Sequence, residues 1–346
     1  MRIFADLHHA GLFYSLHLLL EKRLKHTLYR PIGMSWFQEG FWDVAKPYSD
    51  NEGTVKQYLQ SHSIPIDGTP PLNQSYMDGS KFVTYDTEHE YYQNTMTLAD
   101  FIGDPPDVII ASIPSHAVTY KLLRDAYAPK AKLIFQMGNM FNEIQILVLE
   151  GYVTNLMAST IPFETKSHNV FYYQEQPLVE MTPVQTSPAK IKSFVHLLPR
   201  PEVFNKFKAA LSDTYEFKAF GAGCPDGWVN GIKGVYREMQ DSTFIYHIKP
   251  GGDGYGWNWH SAFINGRPLL TSMSDYRDKL GGQLFEDCVT GYDLDLRTEQ
   301  EIYELIRGAL GEKAVEMGKA ARKRFDSTVN YEAESDKVKK FLEDLK

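Results

Sequence analysis

Short apolar runs of strand character alternate with stretches of helical periodicity along this chain, and after a proline-spaced break the alternation starts again. A strand that returns to its sheet through a helix enters it parallel to its predecessor, so this order predicts α/β architecture with open parallel sheets. Met1–Asp6 reads as a strand, followed by a loop through Gly11 and a helix from Leu12 to about Leu24. Pro106–Ile113 reads as a buried strand ending in the turn Pro114-Ser-His116, then come a helix over Val118–Tyr127 and the strand Lys132–Gln136. A helix over Asn142–Glu150 and strands over Tyr152–Ala158 and Asn169–Tyr173 complete the first half. Gln176–Pro188 has the proline spacing of a linker. Beyond it the pattern predicts strands Ser193–Leu198, Glu216–Phe220, Ser242–Ile248 and Pro268–Thr271. Helices are predicted over Pro201–Leu211, Lys233–Gln240, from the end of a glycine loop through Ile264, and over Glu299–Leu310, Glu312–Phe325 and Glu332–Leu345. The expected division is a first domain over 1–175, a linker over 176–189, a second domain over 190–325 and a terminal helix in 326–346 that packs back on the first domain. From Trp36 to Thr97 aromatics mix with turn signals, and long loops with short elements are expected there.

With 346 residues, 43% of them hydrophobic, the chain supports two ordinary cores. Its apolar runs fall short of the roughly 20 residues that span a bilayer, and Met1 leads into a strand, which predicts a cytoplasmic protein with no membrane partner. Cys224 and Cys288, the two cysteines, form no CxxC pair, so neither a disulfide framework nor a thiolate metal site is expected. Residues 1–189 hold 13 Lys and Arg against 20 Asp and Glu, whereas 190–346 hold 23 against 24. The acidic first half is therefore a poor docking face for a polyanion.

Ligands of open parallel sheets lie beyond the carboxyl ends of the strands. That rule selects His8, His9 and Gly11; Ser115 and His116; Gly138 and Asn139; Arg200; Gly221 and Gly223; and the loop 249–256. In Lys249-Pro-Gly-Gly-Asp-Gly-Tyr-Gly256, glycines at 251, 252, 254 and 256 bare the backbone amides before a helix, an arrangement suited to an anion such as a diphosphate. Lys249 and Arg200 add positive charge. G-x-G-x-x-G at the N-terminal strand, G-x-x-x-x-G-K-[ST] and G-x-S-x-G are absent, which excludes the usual dinucleotide, P-loop and hydrolase signatures.

Asp253-Gly-Tyr-Gly256, then Ala262, then Gly266-Arg-Pro268 before an apolar strand, is similar in register to the second domain of retaining GT-B glycosyltransferases. Asp287-Cys-Val-Thr-Gly291 before a helix, and Phe325…Asn330-Tyr-Glu332, resemble that family's next loop and its closing helix. The resemblance covers about residues 190–346 and includes phage-encoded enzymes of this fold. It implies two doubly wound Rossmann-like domains facing a central cleft, and transfer of a sugar from a nucleotide diphosphate-sugar to an acceptor with retention. Asp253 takes the place near the donor sugar, and Tyr255 belongs to the same donor loop. Arg200, with Lys206 or Lys249, takes the place of the basic pair on the diphosphate, Lys249 being preferred for its position at the glycine loop. Where the family has a second acid for the ribose, this chain has Ser261.

His8 and His9, beyond the first strand, suit proton transfer near neutral pH, with nothing to choose between them. Ser115, His116, Gly11, Gly138 and Asn139 are the acceptor-side candidates. Asp293-Leu-Asp295 has the spacing of a metal-binding DxD, but no further ligand lies near it in sequence, so a structural role is expected and metal-independent chemistry with it. Lys319–Arg324 reads as a solvated basic face. No cofactor beyond the nucleotide-sugar co-substrate is implied. The acceptor is left open among a glycan, a small metabolite and a modified base of DNA. A nucleotide-sugar epimerase of the same plan and a non-catalytic nucleotide-sugar-binding protein are the rival readings.

Overall fold

A computed structural model describes residues 1–6, 10–31, 76–78, 81–83, 94–96, 98–112, 114–137, 154–158, 167–229, 231–252 and 256–345. The expected helix 142–150 and most of the aromatic-rich stretch 36–97 lie outside the described residues. The chain divides into two units, one of Met1–Ala158, Phe163–Glu175 and Glu332–Lys346, the other of Ser159–Pro162 and Gln176–Tyr331.

The first unit holds β1 (Arg2–Asp6), β2 (Thr27–Pro31), the antiparallel hairpin β3 (Tyr76–Asp78) and β4 (Lys81–Val83), β5 (Thr95–Met96), β6 (Val108–Ala111), β7 (Lys132–Gln136), β8 (Asn155–Ala158) and β9 (His168–Phe171). Apart from the hairpin these strands form one parallel sheet in the order β5-β2-β1-β6-β7-β8-β9. Its helices are α1 (Ala10–Leu16), which continues as a π-helical turn over His17–Arg23, α2 (Leu98–Gly103) and α3 (Pro114–Tyr127). Phe4 of β1 packs edge-on to Phe101 of α2 at 5.6 Å and against Tyr120 of α3 at 5.4 Å, in a core shared with Ile109, Leu133, Phe135 and Leu156. Two details differ from expectation. β2 was not anticipated, because Thr27-Leu-Tyr-Arg-Pro31 mixes polar residues with a proline and only Leu28 and Pro31 are buried. Pro114-Ser-His116 is not a turn but the first turn of α3, where a proline has no amide to lose and a φ already suited to the helix.

The second unit holds β10 (Lys190–Ser193), β11 (Glu216–Ala219), β12 (Phe244–His247), β13 (Leu269–Thr271) and β14 (Gly291–Asp293), all parallel, in the order β11-β10-β12-β13-β14. Its helices are α4 (Pro201–Leu211), α5 (Gly231–Gln240), α6 (Trp257–Ile264), α7 (Glu299–Gly308) and α8 (Glu312–Thr328). Phe204, Phe207 and Leu211 of α4 and Ile302 and Ile306 of α7 share one core with Phe217, Phe244, Tyr246 and Tyr292 of the sheet. The last helix, α9 (Tyr331–Glu343), belongs from Glu332 onward to the first unit. There Glu334 accepts from the amide of Tyr173 at 3.0 Å and Phe341 stacks on His168 at 4.9 Å.

The strand expected at Ser193–Leu198 lies three residues earlier, at Lys190–Ser193. Its two lysines made that segment look like surface, yet Lys192 is wholly buried. The ammonium of Lys192 donates to the Glu238 carboxylate at 2.7 Å, to the Glu238 carbonyl at 3.1 Å and to Asp241 at 2.9 Å, while Lys190 reaches the same Asp241. Carboxylates and a carbonyl from the end of α5 thus supply the counter-charge that allows a lysine inside a parallel sheet.

The proline-spaced segment 176–188 is fastened to the second unit. Arg267 is fully buried and donates to the carbonyls of Thr182 at 3.0 Å, Pro183 at 3.1 Å, Met239 at 3.1 Å and Gln240 at 2.6 Å, and to the Thr182 hydroxyl at 2.8 Å. Burial without a carboxylate in contact pulls its pKa down to about 10. In Lys319–Arg324 the residues Lys319, Lys323 and Arg324 are exposed, as a solvated basic face requires, while Arg322 turns inward and donates to the carbonyls of Val179 at 2.9 Å and Ile264 at 2.7 Å.

Despite burial, hydrogen bonds from Lys190 and Lys192 hold the Asp241 carboxyl below the usual range. Its folded value lies below its unfolded one, so this contribution to stability is present above about pH 4 and is lost as pH falls through the lowered value. The double change Glu238→Gln with Asp241→Asn strands a buried ammonium and is expected to cost about 3 kcal/mol in urea unfolding. Lys192→Met, which leaves two carboxylates able to reach water, is expected to cost about 1 kcal/mol or less and to flatten the loss of stability below about pH 4.

Candidate functional site

In both sheets the strand order reverses beside the first strand, between β1 and β6 in one unit and between β10 and β12 in the other. Loops leaving the carboxyl ends of two such strands part in opposite directions and leave a crevice. In the second unit the flanking loops are Phe194–Arg200 after β10 and Ile248–Gly252 after β12. They carry Arg200 and Lys249, the two cations expected on a diphosphate.

The loop after β10 is built from uncommon backbone. Leu197, Leu198 and Arg200 all have left-handed φ, at 58°, 31° and 52°. Such conformations cost of order 1 kcal/mol each and persist where the surroundings enforce them. The enforcing neighbour is the turn after β11. The amide of Leu197 donates to the Ala222 carbonyl at 2.8 Å, and the amide of Ala222 donates to Nδ1 of His196 at 3.1 Å. The thiol of Cys224 donates to the Val195 carbonyl at 3.3 Å. Gly221 and Gly223 admit this packing: a Cβ at Gly221 would lie 2.9 Å from His196 Nδ1, and one at Gly223 would lie 2.8 Å from a Leu197 methyl. Arg200 ends the loop exposed, its carbonyl accepting from Val203 in the first turn of α4. Burial in the core against α4 pushes the Tyr246 phenol of β12 up, while the charge of Arg200 works against that rise.

The glycine loop is partly self-occupied. The Gly251 amide, expected to face an anion, donates to Oδ1 of Asp275 at 2.9 Å, and the Gly252 amide closes a turn on the Lys249 carbonyl at 2.8 Å. An internal carboxylate therefore already holds one of the amides assigned to the diphosphate. Gly252, at φ 75°, packs so closely that a Cβ would sit 2.1 Å from the Asp275 carbonyl and 3.2 Å from Cε of Lys279. Lys279 is 5% exposed and its ammonium meets Asp278 at 3.0 Å, which places a third cation at this turn. Gly256, at φ 60°, precedes α6, and a Cβ there would press on the His260 ring at 3.1 Å. Asp253, Gly254 and Tyr255 lie outside the described residues.

Ser261 is buried in α6, and its hydroxyl donates to Gln176 Oε1 at 2.8 Å, an oxygen that also accepts from Tyr236 at 3.0 Å. Lys206, the alternative basic partner, lies on α4, where its exposed ammonium pairs with Glu299 of α7 at 2.7 Å. Asp293 and Asp295 tie down the loop after β13. Asp293 accepts from the amides of Met273 at 3.2 Å and Asp295 at 3.0 Å, and Asp295 from the Ser272 hydroxyl at 2.6 Å and the Ser274 amide at 2.8 Å. Burial acts to raise the Asp295 pKa, but bonds from Ser272 and Ser274 hold it below the usual range. Among the described residues no cluster of three or more His, Cys, Asp or Glu is placed to hold a metal ion, and no helix is long and apolar enough to cross a membrane.

In the first unit, Gly11 lies in α1, which starts four residues past β1, and Ser115 and His116 lie in the first turn of α3, three residues past β6. These helix starts therefore flank the reversal of that sheet. At the end of β1, Asp6 is buried and accepts from the Tyr120 hydroxyl at 2.5 Å. Burial and that carboxylate push the Tyr120 phenol well up. His8, His9, Gly138 and Asn139 lie outside the described residues. Sequence reasoning missed Asp275, Lys279, His196 and Trp228; the first two sit in Asp275-Tyr-Arg-Asp-Lys279, which reads as an ordinary charged turn.

Two doubly wound sheets in succession, with a last helix that returns to the first unit, match solved structures. Anabaena Alr3699/HepE, in complex with UDP and glucose, aligns over 100% of both chains at 11% identity and a TM-score of 0.59. The fold is GT-B. TarM aligns over 99% of this chain and 98% of its own at 11% identity and a TM-score of 0.64. A mutant of S. aureus TarM in complex with fondaparinux, alpha-GlcNAc-glycerol and UDP aligns at 12% identity and a TM-score of 0.56. In that comparison 68% of this chain spans 55% of the other. The lipopolysaccharide outer core galactosyltransferase WaaB aligns over 99% of both at 9% identity and a TM-score of 0.55. No family model and no curated protein sequence matches the chain. At these identities the likeness speaks for the GT-B fold alone.

Gly252→Ala puts a methyl group against a backbone carbonyl at a left-handed φ, and about 2–4 kcal/mol of stability is expected to be lost. Gly227→Ala, also at positive φ but with nothing within 4 Å, is expected to lose about 1 kcal/mol. Urea unfolding of the two variants side by side separates the packing contribution from the backbone one.

Proposed function

We propose that this chain is a glycosyltransferase that moves a sugar from a nucleotide diphosphate-sugar to an acceptor hydroxyl without a metal ion. The observation that supports the reading is the reversal of strand order between β10 and β12: Arg200 and Lys249 lie in the loops that follow those two strands, and the buried Lys279 packs on the Gly252 turn between β12 and α6. Three cations at the switch point of a parallel sheet suit a diphosphate better than a single anionic group. The GT-B structures with UDP bound support the same ligand class.

In the reaction the bond between the anomeric carbon and the diphosphate oxygen breaks, a bond from the acceptor oxygen to that carbon forms, and the acceptor hydroxyl gives up its proton. Negative charge grows on the departing diphosphate. Arg200, Lys249 and Lys279 stabilise it, in the role a metal ion fills in other diphosphate chemistry. The amides of Gly251 and Gly252 are committed to Asp275 and Lys249, so the cations carry this task more than the loop backbone does. Asp253 lies beside the sugar in this reading and supports retention of configuration, and His8 or His9 is the residue suited to receive the proton. Ser261, bonded to Gln176, shapes α6 rather than holding the ribose. The acidity of residues 1–189 favours a glycan or small-metabolite acceptor over a polyanion such as DNA.

Calorimetry with UDP-glucose, UDP-N-acetylglucosamine, GDP-mannose and ADP-glucose is expected to show saturable binding of at least one. Arg200→Ala and Lys249→Ala are each expected to weaken the matching nucleoside diphosphate about 10- to 100-fold, with the bare nucleoside unaffected. Folded protein that binds none of the four sinks the reading. Isomerisation of the donor without an acceptor points instead to an epimerase, and binding without turnover to a nucleotide-sugar-binding protein.

A further inference from the structure

The loops after β10 and β11 also present two rings that the diphosphate reading leaves unused. His196 and Trp228 stack with centroids 4.7 Å apart and planes within 3° of parallel. Trp228 is 46% exposed and Leu197, next to His196, is 76% exposed, which puts two large apolar side chains in water at the carboxyl edge of the sheet. The stack is held from beneath. Nδ1 of His196 accepts from the Ala222 amide, and Gly221 approaches that nitrogen so closely that no side chain fits there. The turn that carries Trp228 is closed by a bond from the Gly221 amide to the Gly227 carbonyl at 2.7 Å. Because Nδ1 accepts, the imidazole carries its proton on Nε2 and is neutral, so it backs the indole as a π surface rather than as a cation.

His196 stands four residues before Arg200. The chain allows their Cα atoms to be no more than about 14 Å apart, a separation that an extended nucleoside diphosphate bridges from base to phosphates. The loop that holds His196 and the turn that holds Trp228 therefore lie on the same carboxyl edge as Arg200, within the span of one such ligand. Sugars and bases both lie on indole faces; the base is the planar part of a nucleotide diphosphate-sugar, and an indole backed by a parallel imidazole offers it a flat face.

We propose that Trp228, backed by His196, is the platform on which the nucleobase of the donor stacks. This rests on the nucleotide-sugar reading above and adds to it the site of the base. Stacking alone accepts any base, so the platform contributes affinity and orientation while edge contacts elsewhere select the nucleotide.

The test is calorimetric titration of the full chain with UDP, GDP and ADP, and with inorganic pyrophosphate. Trp228→Ala is expected to weaken every nucleoside diphosphate that the wild type binds, on the order of 10- to 100-fold, and to change pyrophosphate binding less than about twofold. Trp228→Phe is expected to retain most of the affinity, and Trp228→Leu, apolar but without a ring, to lose it as Trp228→Ala does. Should Trp228→Ala fail to fold by circular dichroism, the Phe and Leu variants carry the comparison. Wild-type affinity for UDP in Trp228→Ala, or equal affinities in Phe and Leu, overturns the platform and leaves the nucleotide-sugar reading standing. Equal losses for pyrophosphate and nucleotide, or loss confined to the sugar acceptor during turnover, also overturn it. A wild type that binds pyrophosphate but none of the three nucleotides overturns the nucleotide reading itself, and the platform with it.

Discussion

Parallel pairing places every strand's carboxyl end, and so every loop that follows a strand, on the same edge of its sheet. In the second unit that edge collects residues distant in sequence: Arg200 after β10, Trp228 after β11, Lys249 after β12 and Lys279 after β13. Reversal of the order between β10 and β12 then separates two of those loops and leaves room for a ligand. The chemistry attributed to the site depends on this topology more than on any single motif. The glycine loop, the most conspicuous feature of the sequence, supplies fewer open amides than its composition promises, because Asp275 already holds one of them.

Buried charge is built into the second unit's sheet. Lys192 occupies an interior position of β10 because Glu238 and Asp241, at the end of α5, meet its ammonium. With β10 ending at Ser193, the seven residues Phe194–Arg200 become loop, and three of them take left-handed backbone. A β10 extended to Leu198 would leave no such loop: His196 would not reach the Ala222 amide, and Arg200 would not cap the approach to α4. Arg267 acts in the same way one layer down, gathering carbonyls from residues 182–183 and from the end of α5 around one guanidinium. An arginine with that many carbonyl partners and no carboxylate in contact keeps its charge at neutral pH, since its pKa of about 10 still lies well above it.

Much of this was legible from the residues. The alternation of apolar runs and helical periods located β1, β6, β7, β11 to β13 and α4 to α8 to within a few residues, because most of these strands are buried on both faces and read as continuous apolar runs, while edge strand β11 shows instead the alternation of a half-buried strand. Elements with polar residues escaped. The lysines of β10 shift its apparent start, Arg30 and Pro31 hide β2, and the three-residue β14 is too short to register as an apolar run. Arg200 and Lys249 stand out as candidates in the sequence because each closely follows a readable apolar run, even though the run before Arg200 lies beyond the end of β10. Lys279 and Asp275 do not, because they are distinguished only by what packs on them: the Gly252 turn approaches both, and no spacing in the sequence announces that approach. Trp228 was hidden for a similar reason, since its partner His196 stood in what was read as strand.

The carboxylate of Asp275 bears on how the site handles charge. On the proposed reading, a diphosphate held by Arg200, Lys249 and Lys279 meets positive charge that Asp275 and Asp278 partly offset. A residue at 275 without an acceptor oxygen would, on the same reading, open the Gly251 amide to the donor and to the departing nucleoside diphosphate alike, and both would bind more tightly. Catalysis gains only from interactions that strengthen as the diphosphate acquires charge. In the proposed reaction, an internal acid that occupies the amide would moderate ground-state binding and leave the cations to respond to the charge that develops when the sugar departs. On this argument the glycine loop serves chiefly to let Asp275 and Lys279 approach the turn, and glycine is required at 252 because the Asp275 carbonyl stands where any side chain would have to be.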